Sequence, residues 1–161
     1  SVVVGSRDFI WRARRARKLL GGGMRQVGVL AAPGLIALRD GPTGMIERLA
    51  DDHRNARTLA EGLAALPGIS GLDPARVRTN FVIFRVEPHG DQSTARRDTA
   101  GRAAFLDALA RDGVLMVEYP HGQVRAVTHY GVEAADIERV LHSARRAIPA
   151  GVTNETVPVG G

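Results

Sequence analysis

The chain of 161 residues contains no cysteine, a single lysine and few aromatic side chains, which make up 4% of it. Without cysteine, disulfides and thiolate metal sites are excluded. No apolar run reaches the roughly 18 residues that a membrane-spanning helix needs, and no signal-peptide pattern opens the chain. No set of histidines has metal-ligand spacing, so no metal site is predicted. We expect a cytoplasmic protein with an aliphatic core and no membrane partner.

Positive charge is concentrated at the start of the chain. The first forty residues hold eight basic and two acidic side chains, a formal +6, whereas the whole chain carries +5. A basic helix of this kind can bind nucleic acid. It can equally be a subunit-interface helix, and the lack of an accompanying aromatic or glycine-rich RNA-binding motif favours that interpretation.

The first forty residues predict one strand and two helices. Val2-Val3-Val4 is typical of a short buried strand, and Ser6 is a suitable N-cap for a helix that ends near Leu20. A second helix is expected from about Arg25 to Leu38, with a kink or break at Pro33, since proline lacks the N–H that a helix interior uses.

The remainder predicts a long helix followed by a small α+β domain. Apolar residues recur at helical steps from Met45 to Leu66, and His53 falls on the same face. Further elements are expected at 78–86 (strand), 87–98 (loop), 99–111 (helix), 114–118 and 123–128 (strands) and 133–148 (helix). The expected organisation is therefore 1–40, an interdomain helix at 41–66, a small domain at 67–149 and a loose tail at 150–161.

Three consecutive glycines suggest an anion site. Gly21, Gly22 and Gly23 release the backbone from the usual φ limits, and Arg25 follows at the start of the second predicted helix. Backbone N–H groups, a helix N-terminus and a guanidinium would then converge, which suits a phosphate. A plain loop remains the alternative for a glycine run.

Arg125 is the strongest candidate for binding a carboxylate. It lies in the alternating strand Val124-Arg125-Ala126-Val127, where a guanidinium facing a cleft can grip a carboxylate through two parallel hydrogen bonds. The alternative is an exposed strand arginine in an ion pair. His129 follows the strand and is either a proton carrier in the same cleft or a structural histidine. Asn80 either lines the cleft mouth or caps its strand.

Several segments together resemble one enzyme family. The passage from Ser1 to Leu38, which contains KLLGGGMRQ, and the segment VRAVTH at 124–129 are the most specific, and 45–53 and 79–86 add to the match. These segments resemble the low-specificity L-threonine aldolases, which are pyridoxal-phosphate (PLP) lyases. The resemblance covers the chain up to about Ile148.

The resemblance implies an α/β chain of the aminotransferase-like fold type I, with a remnant of the PLP-binding large domain followed by the small domain. It implies that Arg25, with Gly22 and Gly23, binds the cofactor phosphate, and that Arg125, with His129, binds the substrate. The expected activity of the parent, a homotetramer, is cleavage of threonine to glycine and acetaldehyde. Another fold-type-I PLP lyase or transferase is the alternative.

The resemblance also implies that the chain is the C-terminal half of such an enzyme. In the family, the lysine that forms the Schiff base with PLP lies just upstream of the strand that Ser1 opens here. Lys18 is the only lysine of this chain, and it lies among arginines on a predicted helix. We therefore expect no catalytic residue within the chain and no activity of the chain alone.

Overall fold

The computed structural model describes residues 2–39, 44–87 and 95–148, with the side chains of 95–98 left aside. The chain divides into two compact units, Ser1–Ile46 (unit 1) and Glu47–Gly161 (unit 2), and each is described by itself. In the described ranges, no helix is long and apolar enough to cross a membrane. The loop predicted to end at Asp98 and the loose tail at 150–161 lie partly or wholly outside these ranges.

Unit 1 contains two helices, α1 (Arg7–Leu19) and α2 (Gly28–Ala37). Ser6 caps α1 as predicted, since its Oγ accepts a hydrogen bond from the backbone N–H of Phe9 at 3.3 Å. No side chain from 2 to 39 is buried, and α2 has no polar side chain at all. Unit 1 therefore exposes apolar surface that a folded protein normally covers.

Two predictions for unit 1 are wrong. Val2, Val3 and Val4 are exposed and form no strand, because the described part of unit 1 offers no second strand to complete the backbone hydrogen bonds. Helix α2 begins at Gly28, three residues after Arg25, and continues through Pro33, so the predicted break is absent and a kink at Pro33 stays a prediction. Its last turn stays intact, since the N–H of Leu38 bonds to the carbonyl of Gly34 at 3.1 Å.

Unit 2 is a mixed α/β layer with a small antiparallel sheet. Its helices are α3 (Met45–Ala64, which starts at the end of unit 1), α4 (Ala95–Arg111) and α5 (Ala134–Ala147), with a 3₁₀ turn at Pro74–Arg76. Its strands are β1 (Ile69–Ser70), β2 (Phe81–Val86), β3 (Val117–Tyr119) and β4 (Gln123–Val127), in the order β1-β2-β4-β3. All neighbouring strands are antiparallel.

The core lies on one face of this sheet. Val82, Phe84 and Val124 point from the strands into a cluster with buried residues of the three helices, while the alternate strand positions form an open face. Phe84 and Phe105 meet edge to face, with ring centroids 6.1 Å apart. The scarcity of aromatics thus leaves an aliphatic core built around one aromatic pair.

The predicted buried face of α3 is correct in its second half and wrong at His53. Ala56, Leu59 and Leu63 are buried, but His53 is exposed and Asp52 is buried instead. Asp52 lies one turn before Ala56 and therefore shares its face, whereas His53 is rotated about 100° away from Asp52.

Three further element boundaries differ from the predictions. Helix α4 already includes 95–98, where a loop was expected. Strand β3 begins at Val117, three residues after Val114, because the N–H of Val114 bonds back to the carbonyl of Leu109 at 3.0 Å and so belongs to the end of α4. Strand β2 begins at Phe81, three residues after its predicted start at Arg78, and strand β1 was not predicted. Helix α5 agrees well, and Glu133 and Asp136 form a capping box at its start.

Asp112 joins the end of α4 to α5. Its Oδ2 accepts hydrogen bonds from Ser143 Oγ and Arg146 Nη2, both at 2.5 Å. These hydrogen bonds lower the pKa of Asp112 below its ordinary value of 3.8. The bond from the Ser143 hydroxyl has the larger effect, and the bond from the Arg146 guanidinium has the next largest. The folded chain therefore binds fewer protons at this carboxyl than the unfolded chain does.

A pH-dependent contribution to stability follows from Asp112. We expect it to be fully present above the unfolded pKa of 3.8 and to be lost as the pH falls through the lowered folded pKa. Urea unfolding of the native chain and of Asp112→Asn from pH 7 to pH 3 measures it. The difference between the two midpoints should shrink as the pH falls, and a constant difference would contradict this role.

Candidate functional site

Arg125 lies at the centre of the open face of the sheet. In β4 it stands directly opposite Ile83 of β2 and Val117 of β3, and its neighbours Val124 and Ala126 point into the core. The alternating strand pattern thus places the guanidinium on the face that the helices do not cover. Its side chain is half-buried.

Two aromatic rings, and no carboxylate among the described residues, lie next to this guanidinium. The Cζ atom of Arg125 lies 5.5 Å from the ring centroid of Phe81 and 5.5 Å from that of Tyr119. Among the described residues, Arg125 makes no ion pair, and its buried Nε has no hydrogen-bond partner. The ion-paired alternative considered for this arginine is therefore not seen in the described part of the chain.

A shallow groove of about 770 Å³ adjoins this face of the sheet. Phe81, Ile83 and Gln123 line it from the strands, and Asp73, Arg76 and Arg78, one carboxylate and two guanidinium groups, line it from the preceding segment. The groove is open and basic on one side. Arg125 itself is not among the residues that line the groove, but Ile83, which stands opposite Arg125, is one of them.

His129 occupies a different place. It lines a separate cavity of about 330 Å³ between the end of β4, the 113–116 segment and α5, and Arg125 is not among the residues of that cavity. Its ring Nδ1 is 2.8 Å from the carbonyl oxygen of Tyr130. The structure therefore does not bring the two predicted substrate residues into one cavity.

Buried and partly buried hydrogen bonds hold the end of β4 and the segment that follows it. Thr128 Oγ1 donates to the carbonyl of Asp52 at 2.7 Å, and Asn80 Nδ2 donates to the carbonyl of Thr128 at 2.8 Å. Asn55 Nδ2 donates to the carbonyl of Val132 at 2.9 Å. Asn80 thus secures the strand end, which agrees with the structural alternative for this residue.

A nearly buried ion pair lies beside these contacts. Arg48 pairs with Asp52 one turn later on α3, and the Arg48 Cζ lies 5.2 Å from the ring centroid of Tyr130. The side chain of Asp52 is 3% exposed and that of Arg48 21%. In the described ranges, Asp52 Oδ1 and Arg48 Nε have no hydrogen-bond partner. Neither residue was singled out from the sequence.

The glycine loop mainly ends helix α1. Gly21 adopts φ +80°, and the N–H groups of Gly21 and Gly22 donate to the carbonyls of Lys18 and Arg17 at 3.2 and 2.8 Å. A Cβ at Gly22 would lie 2.9 Å from the Arg17 Cγ and 3.2 Å from the Arg17 carbonyl oxygen, so any other residue there would force Arg17 to shift. Two of the three glycine N–H groups are therefore occupied and not available to a phosphate.

Arg25 remains a possible ligand of an anion. It lies in the turn before α2 and is exposed, and it makes no ion pair among the described residues. Lys18 is also exposed on α1, and a Cβ at Gly23 would lie 3.2 Å from the Lys18 Nζ. Two exposed cations, Arg25 and Lys18, thus lie next to the loop.

Comparison with known proteins gives these features a context. The family model for beta-eliminating lyases matches residues 1–88, more than half of the chain. The chain belongs to this family. It is 35% identical over 148 residues to low-specificity L-threonine aldolase 1 of Arabidopsis thaliana, a match that covers 92% of this chain and 38% of the relative.

Two further relatives in the lyase family carry the same kind of name. The low specificity L-threonine aldolase of Escherichia coli (strain K12) is 38% identical over 140 residues, which is 87% of this chain and 36% of the relative. A probable low-specificity L-threonine aldolase 2 of Arabidopsis thaliana is 38% identical over 141 residues, which is 88% of this chain and 36% of the relative. The chain therefore spans less than two fifths of the length of these relatives.

The comparisons confirm the resemblance inferred from the glycine loop and the VRAVTH segment. They say nothing about individual residues. Phe81 and Tyr119, which flank Arg125, were not found from the sequence. Both residues lie in predicted strands or next to them, but their proximity to Arg125 follows only from the strand register, which the sequence does not give.

Proposed function

We propose that this chain is part of a PLP-dependent threonine aldolase and that Arg125 binds the α-carboxylate of the substrate. The observation that carries this is the guanidinium on the open face of the sheet, which has no carboxylate partner among the described residues. The names of the relatives point to threonine as a substrate. The products would be glycine and acetaldehyde.

The chemistry assigned to Arg125 is binding and orientation. Its N–H donors form a planar fork that can hold both oxygens of a carboxylate. A substrate held in this way keeps its reacting bond in a defined direction, which reduces the entropy that the reaction must otherwise lose. Bound PLP would supply the electron sink for cleavage at Cα.

The residues beside the glycine loop fit the phosphate of PLP in part. Arg25 has no ion-pair partner among the described residues and offers a guanidinium. Gly23 contributes a backbone N–H that is not seen to bond elsewhere in the described chain, whereas the N–H of Gly22 already bonds to Arg17. We therefore propose Arg25 as the main phosphate ligand, with Gly23 beside it and Gly22 shaping the loop.

The proposed arrangement of the parent follows the family. Residues 1–40 would be the last part of the large domain, 41–66 the interdomain helix and 67–149 the small domain. The exposed apolar residues of unit 1, such as Val29 and Leu35, would then pack against the rest of the full-length protein or another subunit. This also favours the basic helix α1 as an interface element of a homo-oligomer.

The role of Arg125 is tested in the full-length protein. We expect Arg125→Ala to raise KM for threonine at least about 30-fold, because the loss of a charge-assisted contact costs about 2 kcal/mol or more. The affinity for PLP should stay nearly constant. Arg85→Ala is the matched control and should leave KM near the native value, since Arg85 lies on the same face but its Nη1 bonds to the His121 carbonyl at 2.5 Å. An unchanged KM in Arg125→Ala would refute the assignment.

The proposal also predicts that the chain by itself is inactive. Covalent attachment of PLP needs a lysine amine that reaches the aldehyde with a depressed pKa. Lys18, the only lysine, is exposed on α1 and lies in no described cavity. Mixing the chain with PLP, reducing with borohydride and measuring the mass should show no stoichiometric adduct. Specific labelling of Lys18 together with glycine release from threonine would contradict this expectation.

Another PLP lyase or transferase of the same fold is the second candidate. Enzymes that act on many different amino acids all bind a substrate carboxylate and a cofactor phosphate. Arg125 and Arg25 therefore do not distinguish an aldolase from these other enzymes. Profiling the full-length protein against β-hydroxy-α-amino acids and ordinary amino acids separates the two. Cleavage of the former alone supports the aldolase.

A further inference from the structure

We propose that Phe81 and Tyr119 are positioning residues for Arg125, which hold its guanidinium ready for a carboxylate without competing for it. The inference rests on the proposed function of Arg125 as the carboxylate ligand. It concerns two side chains that lie on neighbouring strands and that do not contact the reacting atoms in this proposal.

The strand register brackets Arg125 between the two rings. Phe81 of β2 stands opposite Val127, the last residue of β4. Tyr119 of β3 stands opposite Gln123, the first residue of β4. The rings therefore approach from opposite strands and opposite ends, and both centroids are 5.5 Å from the Arg125 Cζ. Such a bracket restrains the guanidinium along the diagonal of the sheet.

Arg48 and Arg102, two other arginines of unit 2 with little exposed side chain, each pair with a carboxylate, although Arg48 also lies over the Tyr130 ring. Arg48 pairs with Asp52, and Arg102 Nε lies 3.3 Å from Glu118 Oε1. Each of those carboxylates accepts from one donor of its arginine, Nη2 of Arg48 and Nε of Arg102. Arg125 has two rings instead, and its buried Nε has no partner among the described residues. A ring attracts the cation through its π face and takes up no classical N–H donor.

The physical consequence is a preorganised carboxylate site. An arginine side chain that is free in solution loses rotamer freedom when it binds a ligand, and a restrained one loses less. The rings also remove water from one part of the guanidinium, which strengthens its interaction with an incoming anion. Loss of either ring should therefore weaken carboxylate binding while leaving the chemical step unchanged.

The test compares aromatic with aliphatic replacements in the full-length, PLP-loaded protein. We expect Phe81→Leu and Tyr119→Leu each to raise KM for threonine about 3- to 10-fold with kcat nearly constant. Tyr119→Phe and Phe81→Tyr keep the ring and should retain the native KM. A role in packing alone would not separate leucine from an aromatic residue in KM.

A second readout uses the 161-residue chain without cofactor. Hydrogen exchange of the Arg125 Nε–H, followed by NMR, should be slow in the native chain because this atom is buried. It should become faster in both leucine variants and stay slow in Tyr119→Phe. Equal exchange in all variants would overturn the positioning role. Circular dichroism checks the fold, which should persist because both rings are partly exposed.

The outcomes separate the two proposals. If Arg125→Ala raises KM but both leucine variants match the native protein, the positioning role fails and the proposed function stands. If Arg125→Ala leaves KM unchanged, the proposed function fails, and the positioning role falls with it. If leucine and aromatic variants raise KM equally, the π faces are not responsible and the inference is refuted.

Discussion

Phe84→Ala is expected to lower the free energy of unfolding of unit 2 by about 3–5 kcal/mol. Phe84 is 0% exposed, and its ring meets that of Phe105 at an interplanar angle of 83°. Truncation removes the buried ring and leaves a cavity that neighbours from strands and helices fill only in part. The loss of the edge-to-face contact adds to this cost.

Denaturant unfolding followed by far-UV circular dichroism measures the loss. Tryptophan fluorescence is unsuitable, because the single tryptophan, Trp11, lies in unit 1. Phe81→Ala is the matched control, since it removes the same side chain from the same strand on the open face, where Phe81 is 44% exposed. The control should lose about 1 kcal/mol or less. Equal losses in the two variants would show that the faces of β2 are assigned wrongly.

Long periodic elements were predictable from the sequence. Helix α5 and the second half of α3 follow from their apolar spacing. The short strand β1 carries no such signal, because two residues are too few to show a period. The start of β3 was misplaced because Val114 completes the end of α4, a contact that spacing does not reveal.

Unit 1 shows why a local pattern can mislead. Val2-Val3-Val4 has the composition of a buried strand, but a strand requires partners, and the described part of unit 1 contains none. The glycine run was expected to offer its N–H groups to an anion. Two of those groups instead satisfy carbonyls at the end of α1, a competing demand that every helix end makes.

The candidate site was predictable only in its central residue. Alternation along β4 placed Arg125 on the face opposite to the core, and the structure agrees. The rings that flank it depend on the pairing of three strands, which the sequence leaves undetermined. The sequence predicted His53 on the buried face of α3, whereas the structure buries Asp52. A buried aspartate contradicts the usual preference of that residue for water, so its position was not predicted.

Arg48→Met is expected to destabilise unit 2 by about 3 kcal/mol, because it leaves the carboxylate of Asp52 buried without its cation. The value lies at the low end for such pairs, since the Arg48 side chain is 21% exposed. The substitution also removes the contact of Arg48 with the Tyr130 ring. Because the carbonyl of Asp52 accepts from Thr128, the loop that carries His129 should loosen as well.

The asymmetry of the pair provides the decisive control. Asp52→Asn should cost only about 1 kcal/mol, since asparagine still accepts from Arg48 and the partly exposed guanidinium reaches water. The double variant Arg48→Met/Asp52→Leu should recover most of the stability, because apolar side chains replace both charges. Urea unfolding of all three at one pH measures these differences. Two equal single-variant losses, or a double variant that is worse than Arg48→Met, would show that the buried carboxylate is not the source of the cost.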